Sequence, residues 1–251
     1  MQNVVIIGAS NVTLALPLIW KSMSRRDEPT RLFVAAGHGR SFGLPNTVMG
    51  RTLPSLLECG LWQSLDQQRP ASGTLQVIIT DVGNDILYGA SVDEIVDWVT
   101  ECVDRFTALG GNIVLTSLPR ESLVSLKPSR FRFFRTVLFP RSRLSFGDCM
   151  DQARELDQKL VELATDRSVS LVGTEPHWYG ADPIHVRRRF RPEAWQRYLS
   201  PFFSEPDVTA ATTHDSLRVW RQKAEVRWRG RRRLESSQPV LDEEQSQLWL
   251  F

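Results

Sequence analysis

Asn3-Val4-Val5-Ile6-Ile7-Gly8-Ala9-Ser10-Asn11 decides how this chain is read. Four β-branched residues in a row, without polar alternation, suit a short strand buried on both faces, and such strands belong to parallel sheets held between helices. Gly8 ends the run, and residues 11–24 then space their apolar side chains as a helix does. The stretch is a strand, a tight turn and a helix. It carries the Ser10 hydroxyl on the turn, where the free N–H groups of a helix start point outward.

Working outward, Val, Ile and Leu recur in four more short runs, at residues 31–37, 75–81, 112–118 and 168–173. Helical spacing fills 92–109 and 147–165 between them. Ser91 followed by Glu94 reads as a capping box at the start of the first of these helices, and Gly110-Gly111 stops it. Alternating strands and helices predict an α/β fold of three α/β/α layers around a five-stranded parallel sheet. In such sheets ligands bind beyond the carboxyl ends of the strands, so those ends are where chemistry is sought.

The composition agrees with a globular chain: 251 residues, 41% hydrophobic and 24% charged. Lys and Arg number 31 against 29 Asp and Glu, a net charge of +2, which argues against a surface that grips nucleic acid as a whole. Three well-separated cysteines, Cys59, Cys102 and Cys149, suggest reduced, packed thiols with no disulfide framework. Residues 3–20 are apolar but lack a preceding Lys or Arg and are broken by Ser10, Asn11 and Thr13, so a cytoplasmic protein is expected.

Four of the five strand ends carry something usable. Gly8-Ala9-Ser10 offers a nucleophile or, more plainly, a helix cap. Asp81-Val82-Gly83-Asn84-Asp85 offers the Asn84 amide as a donor into the cleft, or a turn with a capping aspartate. Gly180-Ala181-Asp182-Pro183-Ile184-His185 places a carboxylate three residues before an imidazole. A free imidazole titrates near pH 6.5, so one nitrogen oriented by Asp182 leaves the other to accept a serine proton. Each signal alone has a structural explanation; Ser, Asn, Asp and His in order, each just after a strand, point together to nucleophilic catalysis.

On these residues the chain resembles the SGNH hydrolase superfamily, the GDSL-type esterases and lipases. The resemblance runs from residue 3 to about 200 and implies a flavodoxin-like sheet with Ser10, Asp182 and His185 as a catalytic triad. It implies Asn84 and a glycine of Gly37-His38-Gly39-Arg40-Ser41 as oxyanion donors, Gly39 being the better match and Gly37 the fallback. Ala9 departs from the family's Gly-Asp-Ser. Serine ester cleavage needs no cofactor, and none is expected. The expected substrate is a small-molecule ester of carboxylesterase, lipase or carbohydrate deacetylase type. The alternative is a non-catalytic protein of the same fold, its cleft binding a sugar or acyl group and its tail recruiting a partner.

Residues 1–204 are read as the hydrolase-like domain with an insertion at 119–146. There Arg130, Arg132, Arg135, Arg141 and Arg143 interleave with Phe131, Phe133, Phe134, Leu138, Phe139 and Phe146. Such a stretch suits a lid, a docking surface for anionic lipid or a subunit contact in a homo-oligomer, as well as plain packing with solvated arginines. Phe131, Phe133 and Phe134 are the candidate substrate contacts. Residues 205–251 form a C-terminal extension, basic through Arg229-Gly230-Arg231-Arg232-Arg233, acidic at Asp242-Glu243-Glu244, and apolar at Leu248-Trp249-Leu250-Phe251. The last four residues read as an anchor that packs on something. His177 with Asp182, His185 and Asp81 or Asp85 lacks the spacing of a zinc site, and no metal is expected.

Overall fold

A computed structural model describes residues 1–48, 51–68, 75–139, 142–204, 206–222, 224, 226–228, 231–234 and 237–251. Arg141, Glu205, Arg229 and Gly230 of the sequence reading lie outside the described residues, as do the side chains of Leu138, Arg231, Arg232 and Arg233. The chain runs β1 (Gln2–Ile7), α1 (Ser10–Ser24), β2 (Thr30–Ala35), β3 (Asn46–Val48), β4 (Arg51–Leu53), α2 (Leu61–Gln68), β5 (Leu75–Ile79), α3 (Asn84–Leu87) and α4 (Val92–Ala108). It continues through β6 (Asn112–Thr116), α5 (Arg120–Val124), α6 (Pro128–Leu138), α7 (Phe146–Asp166), β7 (Ser170–Val172), α8 (Arg191–Leu199), α9 (Thr213–Trp220), β8 (Val226–Trp228), β9 (Arg231–Leu234), β10 (Leu241–Glu243) and β11 (Ser246–Leu250).

The five expected strands form a parallel sheet in the order β2-β1-β5-β6-β7, with β5 in the middle. That order is flavodoxin-like, and it puts the ends of β1 and β5 side by side at the point where the winding reverses. Val4, Val5, Ile6 and Ile7 are all fully buried, as an unbroken apolar run requires. Val4 and Ile6 pack with α1, α8 and α9; Val5 and Ile7 pack with α2, α4 and α7. The period of two along the strand thus feeds two cores, one on each face, and each fully buried side chain contributes about 1.5–3 kcal/mol.

The sheet has two strands more than expected. β11 runs parallel to β2 at the edge, and β10 folds back antiparallel on β11, so the sheet has seven strands with one antiparallel member. The apolar end of the sequence is the reason. Trp249 stacks on Phe33 with centroids 5.4 Å apart, and Leu248, Leu250 and Phe251 are buried. A four-stranded sheet, β3-β4-β8-β9, joins the segment after β2 to the basic part of the C-terminal extension.

Local signals acted as read at α4. Ser91 accepts from the Glu94 N–H while the Glu94 carboxylate accepts from the Ser91 N–H, completing the capping box. Gly110 takes φ of +72°, the left-handed conformation that closes the helix, and the Gly111 N–H bonds back to Phe106 O at 2.9 Å. Cys59, Cys102 and Cys149 are free and buried. No helix among the described residues is long and apolar enough to cross a membrane.

Candidate active site

The turn after β1 is built around a close approach. A Cβ on Gly8 would lie 2.8 Å from Val12 Cγ2 and 3.0 Å from Thr80 O, so only glycine lets the turn sit against the end of β5. α1 then starts at Ser10. The N–H groups on either side of Ser10 go to one carboxylate: Ala9 N and Asn11 N donate to Asp81 Oδ2 at 2.9 and 3.0 Å. Val12 N adds a longer contact of 3.4 Å, and Asn11 Nδ2 donates to Asp81 Oδ1 at 2.8 Å. Asp81 itself holds φ of +62°, a strained conformation that aspartate tolerates better than most residues. The carboxylate at a helix N-terminus is favoured by the free N–H groups and the helix dipole.

Asn11 carries the turn across to the opposite loop. Its Nδ2 also donates to Ile184 O at 2.9 Å, and its Oδ1 accepts from Val186 N at 2.9 Å, so one side chain brackets His185 from both sides in sequence. Within that loop Asp182 Oδ1 accepts the N–H groups of Ile184 and His185, while Oδ2 lies 2.6 Å from His185 Nδ1. His185 Nε2 lies 2.7 Å from Ser10 Oγ. The structure therefore brings Ser10, His185 and Asp182 into one hydrogen-bonded row across 175 residues of sequence. Burial alone would raise the Asp182 carboxyl, but the hydrogen bond and charge of His185 and the two backbone N–H groups outweigh it, and the group stays below its ordinary value.

Ser10 opens onto a cleft, continuous with solvent, that is lined by residues at the ends of β5 and β6. Asn84, the first residue of α3, lines it, and its side chain makes no hydrogen bond among the described residues. Thr80, Asp81, Tyr179 and Tyr198 line the end near Ser10. Burial, reinforced by the Asp81 charge, pushes the Tyr179 hydroxyl well above its usual range.

Gly39 is placed by contacts of its own. It takes φ of +65°, and its carbonyl accepts from the Tyr88 hydroxyl at 2.8 Å and from Asn46 Nδ2. Phe42 N donates to Asp85 Oδ2 at 3.1 Å, and Leu56 and Leu57 N–H groups bond to Ser41 and Phe42 carbonyls. The Gly39 loop is thus docked on Asp85 and Tyr88, the same short segment that carries Asn84. Neither Gly39 nor Gly37 lines the Ser10 cleft.

Phe131, Phe133 and Phe134 do not line the cleft either. Phe131 is buried against Phe146, with ring centroids 5.5 Å apart, whereas Phe133 is 62% exposed and packs edge-on with Phe134. The separation follows helix geometry: α6 turns Phe131 toward α7 and Phe133 to solvent. His177 pairs with Glu193 at 2.8 Å instead of joining His185. Among the described residues no three His, Cys, Asp or Glu side chains gather as a metal-binding set.

The sequence reading weighed Asp81 only as a discounted metal ligand and gave Asn11 no role, and the structure shows both holding the serine turn. Asp81 lies two residues past the end of β5, the strand beside β1, and so within reach of the N–H groups of the turn.

No protein-family signature and no curated protein matches the chain. Solved structures do. One titled TesA aligns at 16% identity and a TM-score of 0.50, covering 80% of this chain and 100% of its own. A lipolytic protein of the G-D-S-L family from Veillonella parvula aligns at 10% identity and 0.50, covering 81% and 99%. An acetyl xylan esterase, AlAXEase, aligns at 12% identity and 0.50, covering 80% and 100%. Strand order, the position of the serine turn and these alignments agree: the chain has the fold of the SGNH/GDSL hydrolases.

Proposed function

We propose that this chain is a serine hydrolase that cleaves an ester by acyl transfer to Ser10. The observation that carries the reading is the row Asp182, His185, Ser10, with contacts of 2.6 and 2.7 Å, at the mouth of a cleft. With Nδ1–H donating to Asp182, His185 Nε2 is left as an acceptor aimed at the Ser10 hydroxyl. The serine oxygen attacks the ester carbonyl as its proton moves to Nε2; Asp182 holds the imidazole in that tautomer and stabilises the imidazolium. Collapse of the tetrahedral intermediate breaks the bond to the alcohol, which takes the proton from His185. Water, deprotonated by the same nitrogen, then releases the acid and frees Ser10.

The negative oxygen of the intermediate needs donors already in place. Asp81 takes the N–H groups flanking Ser10, and the Ser10 N–H makes no hydrogen bond among the described residues. That N–H and the uncommitted Asn84 amide are the proposed oxyanion donors; the Gly39 N–H of the sequence reading lies outside the lining of the cleft. Two of the similarly folded proteins are described as an acetyl xylan esterase and a lipolytic protein, which supports ester cleavage as the reaction class. A fluorophosphonate probe tests the reading: it should label the parent at Ser10 and leave Ser10→Ala and His185→Ala unlabelled. A folded parent that stays unlabelled and hydrolyses no activated ester overturns it.

A further inference from the structure

Besides its polar residues, the lining of the Ser10 cleft includes an apolar limb drawn from three helices. Ile86 and Leu87 of α3, Leu118 and Leu123 around α5, and Cys149 and Ala153 of α7 line it, and α7 packs on both α3 and α5. Cys149 and Ala153 are four residues apart, so they stand one above the other on the α7 face that the cleft meets. Both are small and both are buried. Burial pushes the Cys149 thiol up to about 11, so it presents a neutral surface. The next residue on that stripe, Asp157, is buried and occupied: Leu118 N donates to its Oδ1 at 3.2 Å, and Arg120 lies 3.2 Å from Oδ2. At the strand ends, Thr116 donates to Thr80 at 2.9 Å.

A limb of this kind offers a sugar few partners and an alkyl chain a continuous apolar wall. We propose that it receives the acyl chain of a medium-chain ester bound at Ser10, and that Cys149 and Ala153 set the longest chain accepted. The inference rests on the serine-hydrolase reading and goes further by naming the substrate class and two specificity-determining residues. The pocket is built from α3, α5 and α7, not from the Phe131, Phe133 and Phe134 helix.

The test is kcat/KM across p-nitrophenyl acetate, butyrate, hexanoate and octanoate for the parent, Ala153→Leu and Leu87→Ala. Each buried methylene is worth about 0.8 kcal/mol, or about fourfold in kcat/KM, so the parent should climb steeply with chain length. Ala153→Leu should lose about tenfold or more on octanoate and stay within about twofold on acetate, because the added side chain occupies the far end only. Leu87→Ala, which enlarges the limb, should move the optimum to longer chains. A readout independent of turnover is the Tm shift with neutral octanamide, expected in the parent and abolished in Ala153→Leu. Equal losses at every chain length, or a parent that cleaves acetate best, would overturn the pocket while leaving the Ser10 chemistry standing. A parent that hydrolyses none of the esters and takes no probe would overturn that chemistry; an octanamide shift would then still report the pocket.

Discussion

The two halves of the site are held by different means. On the serine side, the Ser10 turn and the 182–185 loop are joined by directional bonds that converge on the reacting groups: Asp81 takes three N–H groups of the turn, and Asn11 ties that turn to the loop at two points. On the Gly39 side, support comes from farther away. Arg40, 1% exposed, donates from Nε to Pro54 O at 3.1 Å and from Nη1 to Phe251 O at 2.5 Å, so the loop leans on the residue that follows β11. Asp85, fully buried, accepts from Phe42 N on one oxygen and has no hydrogen-bond partner on the other. The first half is stiffened by a saturated network. The second depends on a buried carboxylate whose burial raises it to about 6.

The largest expected effect falls on the serine half. Ser10→Ala should reduce turnover of an activated ester by about 10⁴ to 10⁶ with an unchanged circular dichroism spectrum. Activity within tenfold of the parent would remove Ser10 from the chemistry. On the other half, Asn84→Ala should lower kcat by about 10² to 10³ with little change in KM, since a bond to the developing oxyanion strengthens only in the transition state. If KM rises while kcat holds, Asn84 binds substrate instead.

Asp81→Asn asks whether the charge or only the shape at the serine turn matters. It keeps the φ-tolerant side chain but loses an acceptor oxygen, and kcat should fall by roughly 10-fold to 10²-fold with KM unchanged. Slower fluorophosphonate labelling at equal thermal stability would locate the effect in the turn; a lower Tm with normal labelling would make Asp81 a structural cap only.

The smallest effect is the pH response of Asp85. Its carboxyl ionises near pH 4 in the unfolded chain and near about 6 when folded, so between those values the folded state holds more protons. Stability should therefore fall as pH rises from about 4 to about 6, by an amount of order 2 kcal/mol, and level off above that. Asp85→Asn should lose this slope. Urea unfolding of both proteins at pH 4.5 and 7 gives the difference, and parallel slopes would show that Asp85 titrates normally.

Much of the serine half was readable in advance because its logic is local. Val4 to Ile7 and the other runs are buried on both faces, which leaves an unbroken β-branched signature, and the groups that matter sit within a few residues of the strand ends. Ser91 and Glu94 capped α4 as their spacing implied. The insertion was harder: without knowing that residues 128–138 form a helix against α7, nothing distinguishes Phe131, which packs inside, from Phe133, which does not. The wall of the cleft was equally hidden, since Cys149 and Ala153 matter only through the face that α7 turns toward α3 and α5.

By itself, then, the chain's order of residues determined the layering, the order of the five parallel strands' elements along the chain, and the placing of Ser10, Asp182 and His185 just after strands. These follow from short-range periodicity and from the rule that parallel strands gather their ends on one side of the sheet. Tertiary structure alone decided that β11 pairs with β2, that Asp81 accepts from the N–H groups of the serine turn, and that Arg40 rests on Phe251. Each of these joins residues tens to hundreds of positions apart. The energy that selects them is the burial of Trp249 against Phe33 and the matching of buried N–H groups to acceptors, which exists only once the surfaces have met.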